Sequence, residues 1–263
     1  MIYTCYEMIR DCRADRDEGW RYFISNYVPM IRKLLAHYGA EQPVDVAVLN
    51  RVVTGLRRPE SSMFQYLEPA PERWFVAELR QKVLAGLESS PAGIAIDLET
   101  VAAALEPLTL VEKQATWLET MAYAPAAAGA MLRMAPQTVE KIREKAATLV
   151  RAKVDAWRRT LLEENGVALG RAASAASTPE CLTAKTFLDV LDGRATWSGR
   201  EQMEQHVTRC WHCIDHFCRM VEVVESLRGV EPLGEGEAEP FRKLLGIRAE
   251  KPRGWKRWLA GGA

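Results

Sequence analysis

The 263-residue chain has no apolar run long enough to cross a bilayer, so no transmembrane helix is expected. It has no net charge: Lys+Arg and Asp+Glu both number 35, so overall charge says nothing about a nucleic-acid partner and charge has to be read locally. No segment alternates apolar and polar residues for long, and β-branched residues never cluster, which argues against sheets. A Gly-rich phosphate loop, a nucleophile elbow and a His-Glu-x-x-His helix are all missing, so the chain does not read as a hydrolytic enzyme. The opening stretch from Met1 to Arg10 lacks the charge-then-apolar pattern of a secretory signal, and the expected compartment is the cytoplasm.

What is there is ordinary in amount and specific in arrangement. Hydrophobic residues make up 48% and charged residues 27%, enough for a packed core without disulfides. The length suits one large domain or two to three small ones. Helical spacing dominates. Trp20, Phe23, Ile24, Tyr27, Val28, Ile31, Leu34 and Leu35 form one stripe, which Pro29 is expected to kink or divide. Val46, Leu49, Val52 and Val53 mark a second helix, after a loop near Gly39 to Pro43, and Trp74 to Leu87 a third. Further helices are expected over Leu108 to Met121, near Ala126 to Leu132, and from Pro136 past Val150. The segment from Glu163 to Pro179 is poor in large apolar residues and reads as a linker. Beyond it, Leu188 to Gly193 looks like a glycine-capped helix end, and Ser198 with Glu201 like a capping box. The fold class is therefore all-α and multi-domain, with boundaries at 1–90, 91–160, a linker 161–179, 180–229 and a tail 230–263.

Six cysteines are present, and three of them stand at metal spacing. His206, Cys210 and Cys213 sit at offsets 0, 4 and 7, which on one helix share a face, and Cys181 stands 25 residues before the histidine. Thiolate and imidazole donors suit Zn²⁺, and four protein ligands leave no open position, so the expected site is structural. A redox-active Cys210/Cys213 pair and inert cysteines are the other readings, and His212, His216 and Cys218 are rival ligands. His212 and His216 are expected to be exposed or capping. Cys5, Cys12 and Cys218 read as small buried hydrophobes.

The run Cys181…Leu191-Asp192-Gly193…Ser198-x-x-Glu201…His206-x3-Cys210-x2-Cys213 resembles the zinc-binding anti-sigma domain over roughly 50 residues. That resemblance implies a small helical domain that binds and restrains a sigma factor, in some members until its cysteines oxidise. Upstream, Leu132 to Ala146 resembles sigma region 4, where a turn leads into a recognition helix, and Pro107 to Lys113 resembles the segment that opens that region. From Arg133 to Arg159 eight basic residues (Arg133, Lys141, Arg143, Lys145, Arg151, Lys153, Arg158, Arg159) stand against three acidic ones, a local excess of five. With Val139, Ile142, Ala146, Leu149 and Val150 as the buried stripe, Arg133, Gln137, Thr138, Lys141 and Lys145 are the expected DNA contacts. An ordinary amphipathic helix with a solvated basic face is the other reading.

Trp20-x-x-Phe23…Tyr27-Val28-Pro29-x-Ile31 resembles the opening of sigma region 2. The helix around Val46 to Val53 then stands where that family contacts polymerase, with Asn50 at its glutamine position and Ala47 in place of its acidic residue. The resemblance brings no clear aromatic-basic promoter-melting segment; Arg73, Trp74 and Arg80 are the candidates, and a core position is the other reading of Trp74. The basic tail Lys251 to Leu259, with Trp255 and Trp258, suits an anionic membrane or a protein partner; tryptophans packed back on the protein and a disordered tail are the other readings. Together these readings imply an extracytoplasmic-function-type sigma factor fused to its own zinc anti-sigma domain. Its partners are core RNA polymerase, promoter DNA and, intramolecularly, the zinc domain itself. The alternative is a zinc-stabilised helical adaptor without sigma activity, with a thiol switch compatible with either.

Overall fold

The computed structural model describes residues 3–38, 46–57, 72–85, 103–153, 173, 175–227 and 229–248. Every regular element among them is a helix. The loop read at Gly39 to Pro43, residues 163–172 of the linker and the basic tail Lys251 to Leu259 lie outside the described residues, as does the side chain of Ala47. No helix among the described residues is long and apolar enough to cross a membrane. The chain divides into two compact units, one of residues 1–87 with 229–263, the other of residues 88–228.

The first unit is built on α1 (Cys5–Arg13), α2 (Asp17–Tyr38), α3 (Val46–Arg57), α4 (Glu72–Ala85) and a C-terminal helix over Glu235–Leu244. Sequence periodicity did not separate α1 from α2. The start of α1 is set by Thr4, whose hydroxyl accepts from the Glu7 N–H while the Glu7 carboxylate accepts from the Thr4 N–H at 2.8 Å, a reciprocal cap. The stripe from Trp20 to Leu35 is buried throughout, and Phe75, Val76, Leu79 and Val83 of α4 complete the core, with the Phe75 ring edge-on to Tyr27 at 4.9 Å.

Pro29 does not divide α2, which runs unbroken through it. The missing N–H of Pro29 leaves the carbonyl of Ser25, four residues back, without its helical donor. Leu233 supplies one: its N–H donates to that carbonyl at 2.8 Å. The proline break thus becomes an attachment point for the C-terminal segment. Ala238, Phe241, Leu245 and Ile247 of that segment are buried, and the Arg57 guanidinium donates to the Leu245 carbonyl. Replacing Pro29 by alanine restores the helical donor and takes the acceptor from Leu233. Exchange of the Leu233 amide is expected to speed up several-fold, the equivalent of about 1 kcal/mol for one net hydrogen bond. Hydrogen-exchange mass spectrometry of the peptide over 229–240 checks it, and an unchanged rate contradicts it.

The second unit holds α5 (Leu110–Thr120), α6 (Pro125–Leu132), α7 (Pro136–Lys153), α8 (Ala184–Leu191), α9 (Trp197–Val207) and α10 (Trp211–Leu227). Numbered in the same order, the C-terminal helix of the first unit is α11. Thr109 and Glu112 form a second reciprocal cap at the start of α5. Pro125 opens α6 where its missing N–H costs nothing, and Arg133 ends it in the left-handed region at φ 56°. Gly129 lets the turn close: a Cβ there would stand 2.7 Å from the Met134 carbonyl oxygen. Val139, Ile142, Ala146 and Val150 face inward from α7, so α5, α6 and α7 form a three-helix helix-turn-helix arrangement. Leu149 is only partly covered. α10 packs on α5, α6, α8 and α9, which places the cysteine-bearing segment and the helix-turn-helix in one compact unit.

Candidate metal centre

The donors of Cys181, His206, Cys210 and Cys213 all lie within 4.8 Å of one another, and they are the one such Cys/His group among the described residues. Cys181 Sγ is 3.7 Å from Cys210 Sγ, and His206 Nε2 is 3.2 Å from Cys213 Sγ. A tetrahedral ion with metal–sulfur bonds near 2.3 Å has sulfur–sulfur edges of roughly 3.7 Å, so the donor set fits one metal ion. His212, His216 and Cys218 are not part of it.

The three downstream donors do not share a helix. His206 is in the last turn of α9, Cys210 is in the turn between helices, and Cys213 is in the first turn of α10. Seven residues of straight helix rise about 10.5 Å, too far for His206 and Cys213 to meet on one ion. The break closes that gap. At the break the Thr208 hydroxyl donates to the Gln205 carbonyl at 2.9 Å, and the His206 carbonyl accepts from both Arg209 and Cys210. The cap of α9 is also different from the one expected. Thr196, not Ser198, accepts from the Gly199 N–H at 3.1 Å, and the helix starts at Trp197. The glycine end of α8 is as read, with Gly193 at φ 69°.

Backbone donors surround the sulfurs. The Thr178 N–H donates to Cys181 Sγ at 3.2 Å and the Leu182 N–H to Cys213 Sγ at 3.3 Å. Sequence reading missed both, since backbone donors leave no mark in residue type. Burial alone would raise the Cys181 thiol, but hydrogen bonds from Thr178, Cys210 and Cys213 outweigh it and hold the group below its ordinary value. Burial raises Cys210 and pushes Cys213 up to about 12. Without a cation those two thiols keep their protons, so metal binding here is coupled to proton release. With four protein donors and no open position, the arrangement can clip helices together but has no vacant site for a substrate.

His216, read from sequence as exposed or capping, is neither: its ring packs on Phe187 at 5.1 Å, and burial lowers it to about 4. His212 donates from Nδ1 to the Ala173 carbonyl at 3.2 Å. Cys12 and Cys218 are buried as expected, and Cys5 is half-buried. Gln137, Thr138 and Lys141 are exposed in the first turns of α7, and Arg133 is exposed just before it. Lys145 is tied down, its ammonium 2.8 Å from the Glu112 carboxylate. Arg143 is half-buried and donates to the Tyr123 carbonyl at 2.8 Å, so it is not part of a free basic face. Arg158, Arg159 and the Lys153 side chain lie outside the described residues. Arg80 is buried and donates to the Tyr38 hydroxyl at 2.9 Å, which removes it as a melting contact, while Arg73, Trp74 and Asn50 are half-buried.

One set of residues had no sequence signal beyond being polar on apolar faces. Along the contact of α10 with α5 and its C-terminal turn, Trp117 Nε1–H donates to the Asp215 carboxylate at 3.1 Å and the Tyr123 hydroxyl donates to Glu222. The Lys113 ammonium donates to the Thr208 carbonyl at 2.6 Å, and the Trp117 and Trp211 rings pack at 5.0 Å. Asp215 is held from its own helix by Arg219 at 2.7 Å. Trp211 directly follows the donor Cys210, so the donor turn and the docking surface share backbone. No protein-family model matches the chain, and no curated protein or solved structure matches it.

Proposed function

We propose that the chain is a transcription regulator, a divergent sigma factor-like protein whose Zn²⁺-holding module acts on it in cis. One observation carries the reading. α10, which supplies the last metal donor, lies along the first helix of the helix-turn-helix and is fixed there by two polar pairs, the buried pair Trp117 to Asp215 and the half-buried pair Tyr123 to Glu222. Three thiolates and one imidazole in a closed tetrahedron favour Zn²⁺ over metals that prefer oxygen donors. The C-terminal segment supports the same reading from the first unit, where α11 packs on α2 and α3. α3 is the helix that the resemblance assigns to polymerase contact. Because both contacts are intramolecular, effective concentrations near the millimolar range make modest interfaces sufficient. Release of either surface is then the regulated step.

The exposed Gln137, Thr138 and Lys141 give the recognition helix a polar start. Selection by the full chain from a randomised duplex pool is expected to enrich a short motif. Gln137→Ala and Thr138→Ala should relax preference at individual positions by about 1–3 kcal/mol, while Lys141→Ala should weaken all sequences alike and flatten the salt dependence. Because Lys145 is held by Glu112, Lys145→Ala should change DNA affinity less than Lys141→Ala. A pool that stays random at low salt refutes the DNA-reading role and leaves the zinc-stabilised adaptor.

A further inference from the structure

Beside the metal turn lies a pocket of about 230 Å³, lined by Ala103, Glu106, Lys113, Thr208, Arg209 and Trp211. All six residues belong to the second unit. Its most unusual wall is Lys113, which is 5% exposed. Its ammonium donates to the Thr208 carbonyl at 2.6 Å, and no carboxylate pairs with it among the described residues. A buried ammonium without a counter-ion is costly, and such charges are ordinarily paired. The burial depresses its affinity for the proton, an effect that the more distant Glu106 only partly offsets. Arg209 lines the same pocket, is exposed, and forms no ion pair among the described residues. Two cations against one carboxylate leave the pocket positive.

We propose that this pocket binds a small phosphate-bearing anion between the Lys113 ammonium and the Arg209 guanidinium, against the Trp211 ring. Arginine presents a planar fork that matches phosphate oxygens, and a lysine adds a point charge. At about 230 Å³ the pocket has room for a phosphate group with a small organic remainder. The anion supplies the counter-charge that Lys113 lacks. Since Thr208 and Arg209 stand between the donors His206 and Cys210, an occupant also braces the metal turn. This chemistry is independent of whether the helix-turn-helix reads DNA.

The test is calorimetric titration of the full, metal-loaded chain, freed of excess metal, at constant ionic strength. One arm uses inorganic phosphate and the other glycerol phosphate. Saturable binding with a Kd at or below about 1 mM is expected in at least one arm. Tighter binding of the ester assigns the site to phosphate monoesters; equal or tighter binding of inorganic phosphate assigns it to the free ion. Arg209→Ala should weaken binding at least tenfold, and Lys113→Met should abolish it. Arg209 is exposed, so its variant is expected to fold even if the Lys113 variant does not. Absence of saturable binding in both arms, or an Arg209→Ala chain that binds as tightly as the parent, overturns the proposal.

Discussion

Replacing Cys213 by serine is expected to reduce bound metal from about one ion per chain to a small fraction of that, and to destabilise the second unit by several kcal/mol. Cys213 is the fully buried donor, stands 3.2 Å from His206 Nε2, and accepts from the Leu182 N–H. A serine hydroxyl is shorter and stays protonated, so it replaces a thiolate poorly. The loss extends beyond one bond, because the four donors join the segment before α8, the end of α9 and the start of α10. Structural zinc supplies on the order of 10 kcal/mol in small domains. Only part of that is lost here, because α10 also rests on α5 through Trp117 and Tyr123. Elemental analysis together with thermal unfolding reads both effects. Cys218→Ala is the control: it removes a buried thiol from the same helix without touching the donor set and should leave metal content unchanged. Equal metal content in the Cys213 and Cys218 variants contradicts the assignment.

Replacing Trp117 by alanine is expected to cost about 3–5 kcal/mol, the range for deleting a large buried aromatic. Trp117 is 1% exposed, packs its ring near Trp211, and donates a hydrogen bond to the buried Asp215 carboxylate. Asp215 then loses a donor inside an interface that excludes water, though Arg219 still holds it. Because Trp211 is joined to Cys210, the substitution should also speed metal transfer to a chromogenic chelator. Urea unfolding measures the first effect and stopped-flow metal transfer the second. A loss under about 1 kcal/mol with unchanged transfer kinetics would mean that the module does not depend on its seat on α5.

How much of this was legible in the sequence depended on whether the signal lay in residue type or in backbone. The metal donors were legible, because cysteine and histidine at fixed spacing are rare and chemically specific. Their geometry was not. A 0, 4, 7 offset suggested one helix, and only the rise along such a helix shows that the chain must break near Thr208. The buried stripes of α2 and α7 were legible from period alone, and so were the starts at Pro125 and Pro136 within a residue or so. Pro29 did not divide α2, and a distant N–H from Leu233 satisfied the orphaned carbonyl; α11, in the Gly/Glu-rich start of the tail, had no helix reading and carries Pro240 inside it. Glu237 caps the start of α11 on the Gly234 N–H at 3.1 Å, and its few apolar residues, Ala238 and Phe241, fall on one buried face. Lys113, Asp215 and Glu222 carried no signal, because nothing local marks a residue that meets its partner about a hundred positions away.

The most direct measurement of the central claim is binding to core RNA polymerase by three proteins: the full chain, the chain lacking residues 171–263, and the full chain carrying Cys213→Ser. Cis-restraint predicts weak binding by the intact, metal-loaded chain and binding at least tenfold tighter by the other two. The variant provides the comparison in a full-length protein that keeps its helix-turn-helix sequence. Equal binding by all three would remove restraint while keeping a sigma-type role. No binding by any of them would contradict the proposed function and leave a zinc-stabilised helical adaptor.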